Sequence, residues 1–379
     1  MRTFTIVLMA LCFAGCTKYP KVEFDGTANG VKTGVFIVKD LQGHAVYGGP
    51  IQDGKFHVAP IGLETPGYYN MDIIDDATKA EGHPPFEVYL EDGKYTITAN
   101  ADKISSYPGI VSTSNIQNEL SGFYTLADKL NGDITKQANA LNAKIKNKST
   151  DRLSQEQLVN LLNQVSDLDA KKTKIMPQVL SAFIEKYPQN VTGAHILLKQ
   201  QYEADPVMYY NFYKKFPAAT QNSEEGKEIG EKLSRLVKLV PGAGAPVLAG
   251  KLLDGSAFNP AAMHKKIFLV DFWRSANEMT RRNHVQIADM VKDFGAQGFG
   301  VVSVSMDTKP DWWKSAVKED GMTWPQLSDL KGDDSPNTLN WSVTSLPRYD
   351  LVDGNWHIIE RDIAFLSVYV TVQDYLKKH

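Results

Sequence analysis

The chain has 379 residues, enough for two or three domains with buried cores, and its 42% apolar and 22% charged residues exclude global disorder and a polytopic membrane protein. Its net charge of −3 provides no basic field that would recruit nucleic acid, so no nucleic-acid partner is expected. Both cysteines, Cys12 and Cys16, lie in the first sixteen residues, and the rest of the chain therefore has no thiol for a disulfide, a thiolate metal site or nucleophilic catalysis.

The N-terminus has the pattern of an export signal. A basic start at Arg2 is followed by an apolar run over residues 4–13 and then by Ala14-Gly15-Cys16. The run is shorter than the roughly 20 residues that a membrane-spanning helix needs. Small residues before a cysteine resemble a bacterial lipobox, which predicts a lipoprotein signal peptide at 1–15 and lipidation of Cys16. The expected location is the bacterial cell envelope, lipid-anchored to a membrane and facing the periplasm or the cell surface. An ordinary secretory signal cut near Gly15 is the alternative.

The pattern of residues 16–114 predicts an antiparallel all-β domain, either β-sandwich-like or a small barrel. Short alternating or apolar runs bounded by Gly, Asp and Asn are typical of strands and turns, and they cover 31–38, 56–58, 69–74, 86–90 and 95–99. Three dipeptides are predicted as hairpin turns, because glycine adopts the positive φ that tight turns need: Asp25-Gly26, Asp53-Gly54 and Asp92-Gly93.

Residues 115–240 are predicted as a helical segment, since their apolar residues recur at helical spacing. Ser154 with Gln157 has the pattern of a capping box, and Asp205 directly before a proline indicates another helix start. Pro177 is expected to kink or split the long helix that contains it.

Residues 241–379 are predicted as an α/β domain that follows a Gly- and Pro-rich linker at 241–246. A buried strand at 267–272, a helical pattern to Phe294 and a second apolar strand at 299–304 make a βαβ unit with a partly parallel sheet. A hairpin at Asp353-Gly354 and a last helix near 370–377 complete the domain.

Seven motifs of this domain occur in a characteristic order. They are Ala245-Pro246-Val247, Leu253-Asp254-Gly255, Val270-Asp271-Phe272-Trp273, Val304-Ser305-Met306-Asp307, Trp324-Pro325-Gln326-Leu327-Ser328-Asp329, Leu346-Pro347 and Asp353-Gly354. In this order they resemble the TlpA/ResA-like branch of thioredoxin-fold envelope proteins, over residues 243–379. The β-rich region resembles the N-terminal domain, of unknown function, that often precedes this fold. The resemblance implies an α/β thioredoxin-like C-terminal domain, preceded by the antiparallel all-β domain and the helical segment.

The resemblance also implies thiol–disulfide exchange through a Trp-x-x-x-Cys-x-x-Cys-Arg motif, but both cysteines of the motif are replaced. Asn277 stands at the position of the attacking cysteine, and Thr280 at that of the resolving cysteine. The chemistry needs a thiolate at a helix N-terminus and a second thiol one turn further on. Neither an amide nor a hydroxyl side chain can enter a disulfide, so Asn277 and Thr280 form a degenerate redox motif and no catalytic residue is predicted.

A peptide-binding groove is predicted beside this motif. Pro347 matches the family's cis-proline, and Leu346 before it offers its backbone to an extended peptide by strand addition. A conformational proline that binds nothing is the alternative. The predicted groove residues are Trp273, Asn277, Glu278, Met279, Thr280, Trp324, Leu346 and Pro347.

Other polar residues of the domain are given structural roles. Asp271 matches the family's buried acid and is predicted to be a hydrogen-bonded structural carboxylate. Arg274, Arg281 and Arg282 could hold an anion at the helix start, but Glu278 favours a capped and salt-bridged terminus. The eight histidines form no close ligand pair, so no metal and no cofactor is predicted.

The sequence therefore favours a redox-inactive, non-catalytic binding or scaffold protein of the envelope. Its expected partner is an extended peptide, an envelope protein or a small ligand, and its membrane contact is the N-terminal lipid anchor. The alternative is the family-level activity, a TlpA-like thiol–disulfide oxidoreductase of the envelope.

Overall fold

The computed structural model describes residues 19–76, 85–100, 106–146 and 154–379. The predicted signal peptide and Cys16 lie outside the described residues. The chain divides into two compact units: the first comprises residues up to Gln201 together with Phe212–Gly226, and the second comprises Tyr202–Asn211 together with Lys227–His379.

The first unit contains one eight-stranded sheet with the strand order β6-β5-β2-β3-β4-β1-β7-β8. Its strands are β1 (Lys21–Asn29), β2 (Thr33–Lys39), β3 (Ala45–Gln52), β4 (Lys55–Gly62), β5 (Gly67–Asp75), β6 (Phe86–Leu90), β7 (Gly93–Asn100) and β8 (Gly109–Ser112). Neighbouring strands are antiparallel except β1 and β7, which run parallel. The expectation of a purely antiparallel domain is wrong at this pair.

The sheet curls so that one of its faces encloses a single core. Two strands separate β1 from β2, yet the rings of Phe24 and Phe36 on these strands are only 5.4 Å apart. A flat sheet would hold strands three positions apart at about 14 Å. The curled sheet therefore packs against itself, as the two layers of a sandwich do.

Of the three dipeptides predicted as hairpin turns, one forms such a turn in the structure and two do not. Asp53-Gly54 joins β3 to β4 with positive φ at both residues, as predicted. Asp25-Gly26 lies inside β1, where a Cβ on Gly26 would stand 2.0 Å from the ring of Phe56. That glycine allows a close approach of a ring rather than a turn, and the prediction is wrong. Asp92-Gly93 joins β6 to β7, which lie apart in the sheet order, so it is a connection and not a hairpin.

Among the described residues, six α-helices follow: α1 (Asn115–Lys146), α2 (Gln155–Lys186), α3 (Gly193–Leu198), α4 (Pro206–Tyr213), α5 (Ala218–Asn222) and α6 (Glu224–Leu236). The capping box at Ser154 is confirmed, since its side chain accepts from the Gln157 N–H and its own N–H donates to the Gln157 side chain. Pro177 lies inside α2 without splitting it. Among the described helices, none is both long enough and apolar enough to span a bilayer.

The second unit contains a six-stranded sheet with the order β14-β13-β10-β11-β12-β9. Its elements are β9 (Lys251–Leu252), β10 (Ile267–Trp273), α7 (Glu278–Phe294), β11 (Phe299–Ser305), α8 (Pro310–Glu319), β12 (Gln326–Ser328), α9 (Pro336–Asn340), β13 (Arg348–Asp353), β14 (Ile358–Glu360) and α10 (Phe365–Lys378). β10, β11 and β12 are parallel, which confirms the predicted βαβ unit, and β13 and β14 form the predicted hairpin.

The residues predicted as a linker at 241–246 are bonded into this unit. The N–H groups of Gly242 and Ala245 donate to the carbonyls of Ile358 and Trp356, so this segment runs along the β13–β14 hairpin. The strands β10 and β11 are buried along their whole length. Their carboxyl ends, where the chain turns into α7, hold the candidate site.

Candidate functional site

The start of α7 is closed by Asn277. This residue is the N-cap of the helix, and its side-chain Oδ1 accepts a hydrogen bond of 3.0 Å from the Thr280 N–H. Its Nδ2 donates a 3.2 Å hydrogen bond to the carbonyl oxygen of Leu346. The amide therefore occupies the helix N-terminus and also joins it to the loop before Pro347. We call these two hydrogen bonds the Asn277 clasp.

The loop between β10 and α7 is held by a buried carboxylate. Asp307, two residues after the end of β11, is 2% exposed and accepts hydrogen bonds from the N–H and the hydroxyl of Ser275. A further bond comes from the Ser305 hydroxyl at 2.8 Å. Asp307 thus ties the loop to the end of the neighbouring parallel strand.

The peptide bond between Leu346 and Pro347 is cis, as the resemblance implied. Both residues are half-buried. The Leu346 N–H donates to no acceptor within the described residues, whereas its carbonyl is engaged by Asn277. Beside it lies a cleft of about 240 Å³, lined by Arg274, Met306, Asp333, Thr338, Val343, Thr344, Ser345 and Leu346.

Three predicted groove residues are part of the core instead. Trp273 and Thr280 are fully buried, and Trp324 is nearly so. Trp273 ends a strand that is covered on both faces, and Trp324 points its indole N–H inward to the Ser303 hydroxyl at 2.8 Å. Of the helix start, Glu278 and Met279 are exposed and Asn277 is half-buried. The surface that the predicted groove can offer therefore consists of Asn277, Glu278, Met279, Leu346 and Pro347.

Asp271 is a hydrogen-bonded buried carboxylate, as predicted. Its Oδ2 accepts a 2.7 Å hydrogen bond from the hydroxyl of Ser303. The Nε2 of His284 on α7 lies 3.4 Å from the same oxygen. Asp271 therefore serves the core between β10 and α7.

His284 is fully buried and lies between two carboxylates, since its Nδ1 is 2.7 Å from Asp320 Oδ2 and its Nε2 faces Asp271. Burial disfavours the charged ring, but the hydrogen bonds and charges of Asp271 and Asp320 outweigh it and hold the pKa of His284 above its ordinary value. Burial of Asp320 acts in the opposite sense to Arg281 and His284, which together hold the pKa of Asp320 below its usual range.

Two of the three arginines around the helix start, Arg274 and Arg281, are paired with carboxylates. Arg281 contacts Asp320 at 2.5 Å and Glu319 at 2.9 Å, and Arg274 contacts Asp333 at 2.7 Å. This arrangement is a capped and salt-bridged terminus, the interpretation that Glu278 favoured in the sequence. Arg282 is exposed.

One group of side chains has the spacing of metal ligands. Atoms of Glu23, Asp25 and His57 lie within 4.8 Å of one another in the first unit. The ammonium group of Lys94 contacts both carboxylates, at 2.8 Å from Glu23. Because Lys94 already supplies the compensating charge, these residues do not form a vacant cation site.

The residues that stabilise the site in the structure are in part different from those that the sequence predicted. His284 and Asp320 carried no signal of their own, because these two residues lie 36 positions apart in the chain. Asp307 is the last residue of the Val304-Ser305-Met306-Asp307 motif, and it lies just beyond the carboxyl end of a buried parallel strand, the usual position of site residues in open α/β sheets.

The parallel β10–α7–β11 unit, the β13–β14 hairpin and the cis-proline loop bonded to the start of α7 have the arrangement that the sequence resemblance to thioredoxin-fold proteins implies, and residues 241–379 contain no cysteine. No protein-family profile matches the chain, and no curated protein sequence is similar to it. Solved structures are similar to its C-terminal portion, and they include proteins described as thiol–disulfide oxidoreductases and as thioredoxin-like proteins.

Three of these structures are as follows. The thioredoxin domain of a thiol–disulfide oxidoreductase from Bacteroides vulgatus is 27% identical, covers 36% of this chain and 99% of its own, and has a TM-score of 0.34. A thiol–disulfide interchange protein from Bacteroides sp. is 25% identical, covers 37% and 92%, and has a TM-score of 0.34. A thiol–disulfide oxidoreductase from Bacteroides fragilis is 21% identical, covers 35% and 98%, and has a TM-score of 0.33.

Proposed function

We propose that this protein is a redox-inactive, thioredoxin-like binding or scaffold protein of the cell envelope. The Asn277 clasp carries the proposal, because it fills the position at which an exchange reaction would need a thiolate. An amide is neither a nucleophile toward a disulfide nor a leaving group from one. The alternative, a thiol–disulfide oxidoreductase, would need a cysteine thiol, and the chain has no cysteine beyond Cys16.

Binding through the cis-proline loop remains chemically available. Backbone pairing with an extended peptide needs a donor and an acceptor on the edge of the loop, and it does not need cysteine. The N–H of Leu346 can donate, and the cleft of about 240 Å³ beside it can take a side chain. The carbonyl of Leu346 is engaged by Asn277, so a peptide that pairs with both groups must first displace the Asn277 amide.

Because of this competition, two variants should change the affinity for extended peptides in opposite directions. Asn277→Ala frees the Leu346 carbonyl, and the hydrogen bond that no longer has to be broken is worth about 1 kcal/mol. We therefore expect about fivefold tighter binding of extended peptides. Leu346→Pro removes the N–H donor and is expected to abolish binding.

The assay is an array of immobilised ten-residue peptides of high strand propensity, probed with the full chain and both variants. Leu366→Ala, which truncates a side chain that is 87% exposed on α10, serves as the control. Peptides that bind the wild-type chain and both variants equally would place binding elsewhere. If no peptide binds even Asn277→Ala, the proposed peptide-binding role is wrong.

The envelope location is proposed from the N-terminal sequence. Cys16 after Ala14-Gly15 is the acceptor of a lipid in this proposal, and Cys12 leaves with the signal peptide. Labelling of cells with radioactive palmitate should mark the wild-type chain and Cys12→Ser, but not Cys16→Ser. Equal labelling of all three, or of none, would contradict lipidation at Cys16.

A further inference from the structure

The first unit buries a histidine between two carboxylates of different elements. His195 on α3 is 4% exposed. Its Nε2 lies 3.1 Å from Glu87 on β6, and its Nδ1 lies 2.7 Å from Glu225 in the first turn of α6. The ring of Tyr68 on β5 stacks on the imidazole. One side chain thus connects the sheet with two helices.

The geometry determines the charge of this histidine. An ionised carboxylate only accepts hydrogen bonds, and a neutral imidazole has a single N–H to donate. Two hydrogen bonds to two carboxylates therefore need the imidazolium form. Burial opposes the charge, but Glu225 and Glu87 outweigh it and hold the pKa of His195 above its ordinary value.

Without the His195 charge, Glu87 and Glu225 differ in the partners that stabilise their negative charge. Glu87 is buried, and it keeps the ammonium of Lys199 at 3.0 Å and the hydroxyl of Tyr124 on α1 at 3.1 Å. Its pKa stays below the usual range, because His195 and Lys199 outweigh the effect of burial. The Glu225 side chain is 40% exposed, so water can solvate it. Loss of the ring proton therefore releases Glu225 rather than Glu87.

The remaining groups around the ring do not titrate in this range. Burial, followed by the charges of Glu225 and Glu87, raises the pKa of Tyr68. Burial also raises the pKa of Tyr124, with the charge of Glu87 adding to it. Both phenols stay neutral at every pH at which His195 changes its charge, so His195 is the titrating group of this cluster.

We propose that His195 is a pH-sensitive clamp that fastens the start of α6, residues 224–226 of the first unit, to the sheet of that unit. In its protonated form it holds Glu87 and Glu225 together. After deprotonation the neutral ring donates to Glu87 alone, its Nδ1 lone pair faces Glu225, and the first turn of α6 loosens. The clamp is complete below the ordinary histidine pKa of about 6.5 and is lost as the pH rises through the higher value of the folded state.

The test is a titration of the full chain with histidine labelled at Cε1 with ¹³C. The resonance of His195 is the one absent in His195→Gln. If that variant does not fold, the resonance that Tyr68→Leu shifts most identifies it, because the ring of Tyr68 stacks on the imidazole. We expect His195 to titrate above pH 6.5, and its proton affinity to fall about tenfold or more in Glu225→Gln, since an adjacent opposite charge is worth one unit or more. The Cε1 resonance of His44, an exposed histidine beside Asp40, is the internal reference, and Glu225→Gln should not change it.

Hydrogen exchange of α6 residues supplies the conformational readout. After correction for the intrinsic rate, the exchange rate should increase as the pH rises. The total increase should be about tenfold for each unit by which the pKa of His195 in the closed state exceeds its pKa in the open state. It should already be fast and independent of pH in Glu225→Gln. A His195 that titrates at or below 6.5, a titration unchanged by Glu225→Gln, or exchange in α6 that does not follow the titration would each overturn the clamp.

Discussion

Replacing Asn277 by alanine removes both hydrogen bonds of the Asn277 clasp. Loss of an N-cap side chain costs about 1 kcal/mol, and loss of the hydrogen bond to Leu346 costs about 1 kcal/mol more. The second unit should therefore be about 2 kcal/mol less stable in Asn277→Ala. Since the two bonds have ordinary lengths of 3.0 and 3.2 Å, the central values for these interactions apply.

A serine at the same position separates the two contributions. Asn277→Ser keeps an oxygen that can accept from the Thr280 N–H, but it has no group that reaches the Leu346 carbonyl. Its cost should therefore be about 1 kcal/mol, the part that belongs to the hydrogen bond with the cis-proline loop. The control is Ser154→Ala, which removes the N-cap of α2 in the first unit.

The tryptophans make the measurement specific to the second unit. All six lie between Trp273 and Trp356, so tryptophan fluorescence during urea unfolding reports that unit alone. Ser154→Ala should leave the fluorescence transition unchanged. An Asn277→Ser variant that is as unstable as Asn277→Ala, or an Asn277→Ala variant as stable as wild type, would refute the structural role given to the amide.

Three further predictions concern other parts of the molecule. Combining Asn277→Cys with Thr280→Cys should give a disulfide with a measurable midpoint potential in a glutathione titration, because the helix N-terminus is retained; a pair that never oxidises would contradict this. His284→Gln should destabilise the second unit by about 3 kcal/mol at pH 6, where the buried ring is charged. Because the pKa of His284 is raised in the fold, the protonated ring stabilises the fold below about pH 6.5, and this contribution disappears as the pH rises through the pKa of the folded state. The difference in the free energy of unfolding between wild type and His284→Gln should therefore shrink toward pH 9. Urea titrations that give the same difference at pH 6 and pH 9 would contradict this prediction. Gly26→Ala should lower the stability by about 1–3 kcal/mol, because the ring of Phe56 is stacked on Phe36 and cannot move away from the new methyl group. In the control Gly67→Ala the methyl group meets no atom within 4 Å, so that variant should be as stable as wild type. Thermal melts followed by circular dichroism measure both.

The C-terminal fold was predictable because its signals are local. The apolar run at 267–272 and the helix after it have the period and length of a βαβ unit, and the structure has β10 and α7 there. The first unit was harder. β1 contains Asp25-Gly26, which reads as a turn, and β3 contains Gly48-Gly49-Pro50, which is atypical of a strand. Packing against Phe56 and pairing with distant strands decide both segments, and neither is visible in a short window.

The candidate site shows the same division. The replacement of both cysteines and the capping ability of Asn277 follow from the sequence alone. The hydrogen bond from Asn277 to Leu346 joins residues 69 positions apart, so only the folded chain reveals it. The burial of Trp273 and Trp324 was missed for a related reason, since an aromatic residue suits a groove and a core equally well until its neighbours are known.

The absence of redox chemistry is tested most directly by reduction of insulin with dithiothreitol. The full chain carrying Cys12→Ser and Cys16→Ser excludes any contribution from the N-terminal thiols. We expect insulin to precipitate at the rate given by dithiothreitol alone, at every protein concentration. A rate that rises in proportion to the added protein would contradict a redox-inactive role.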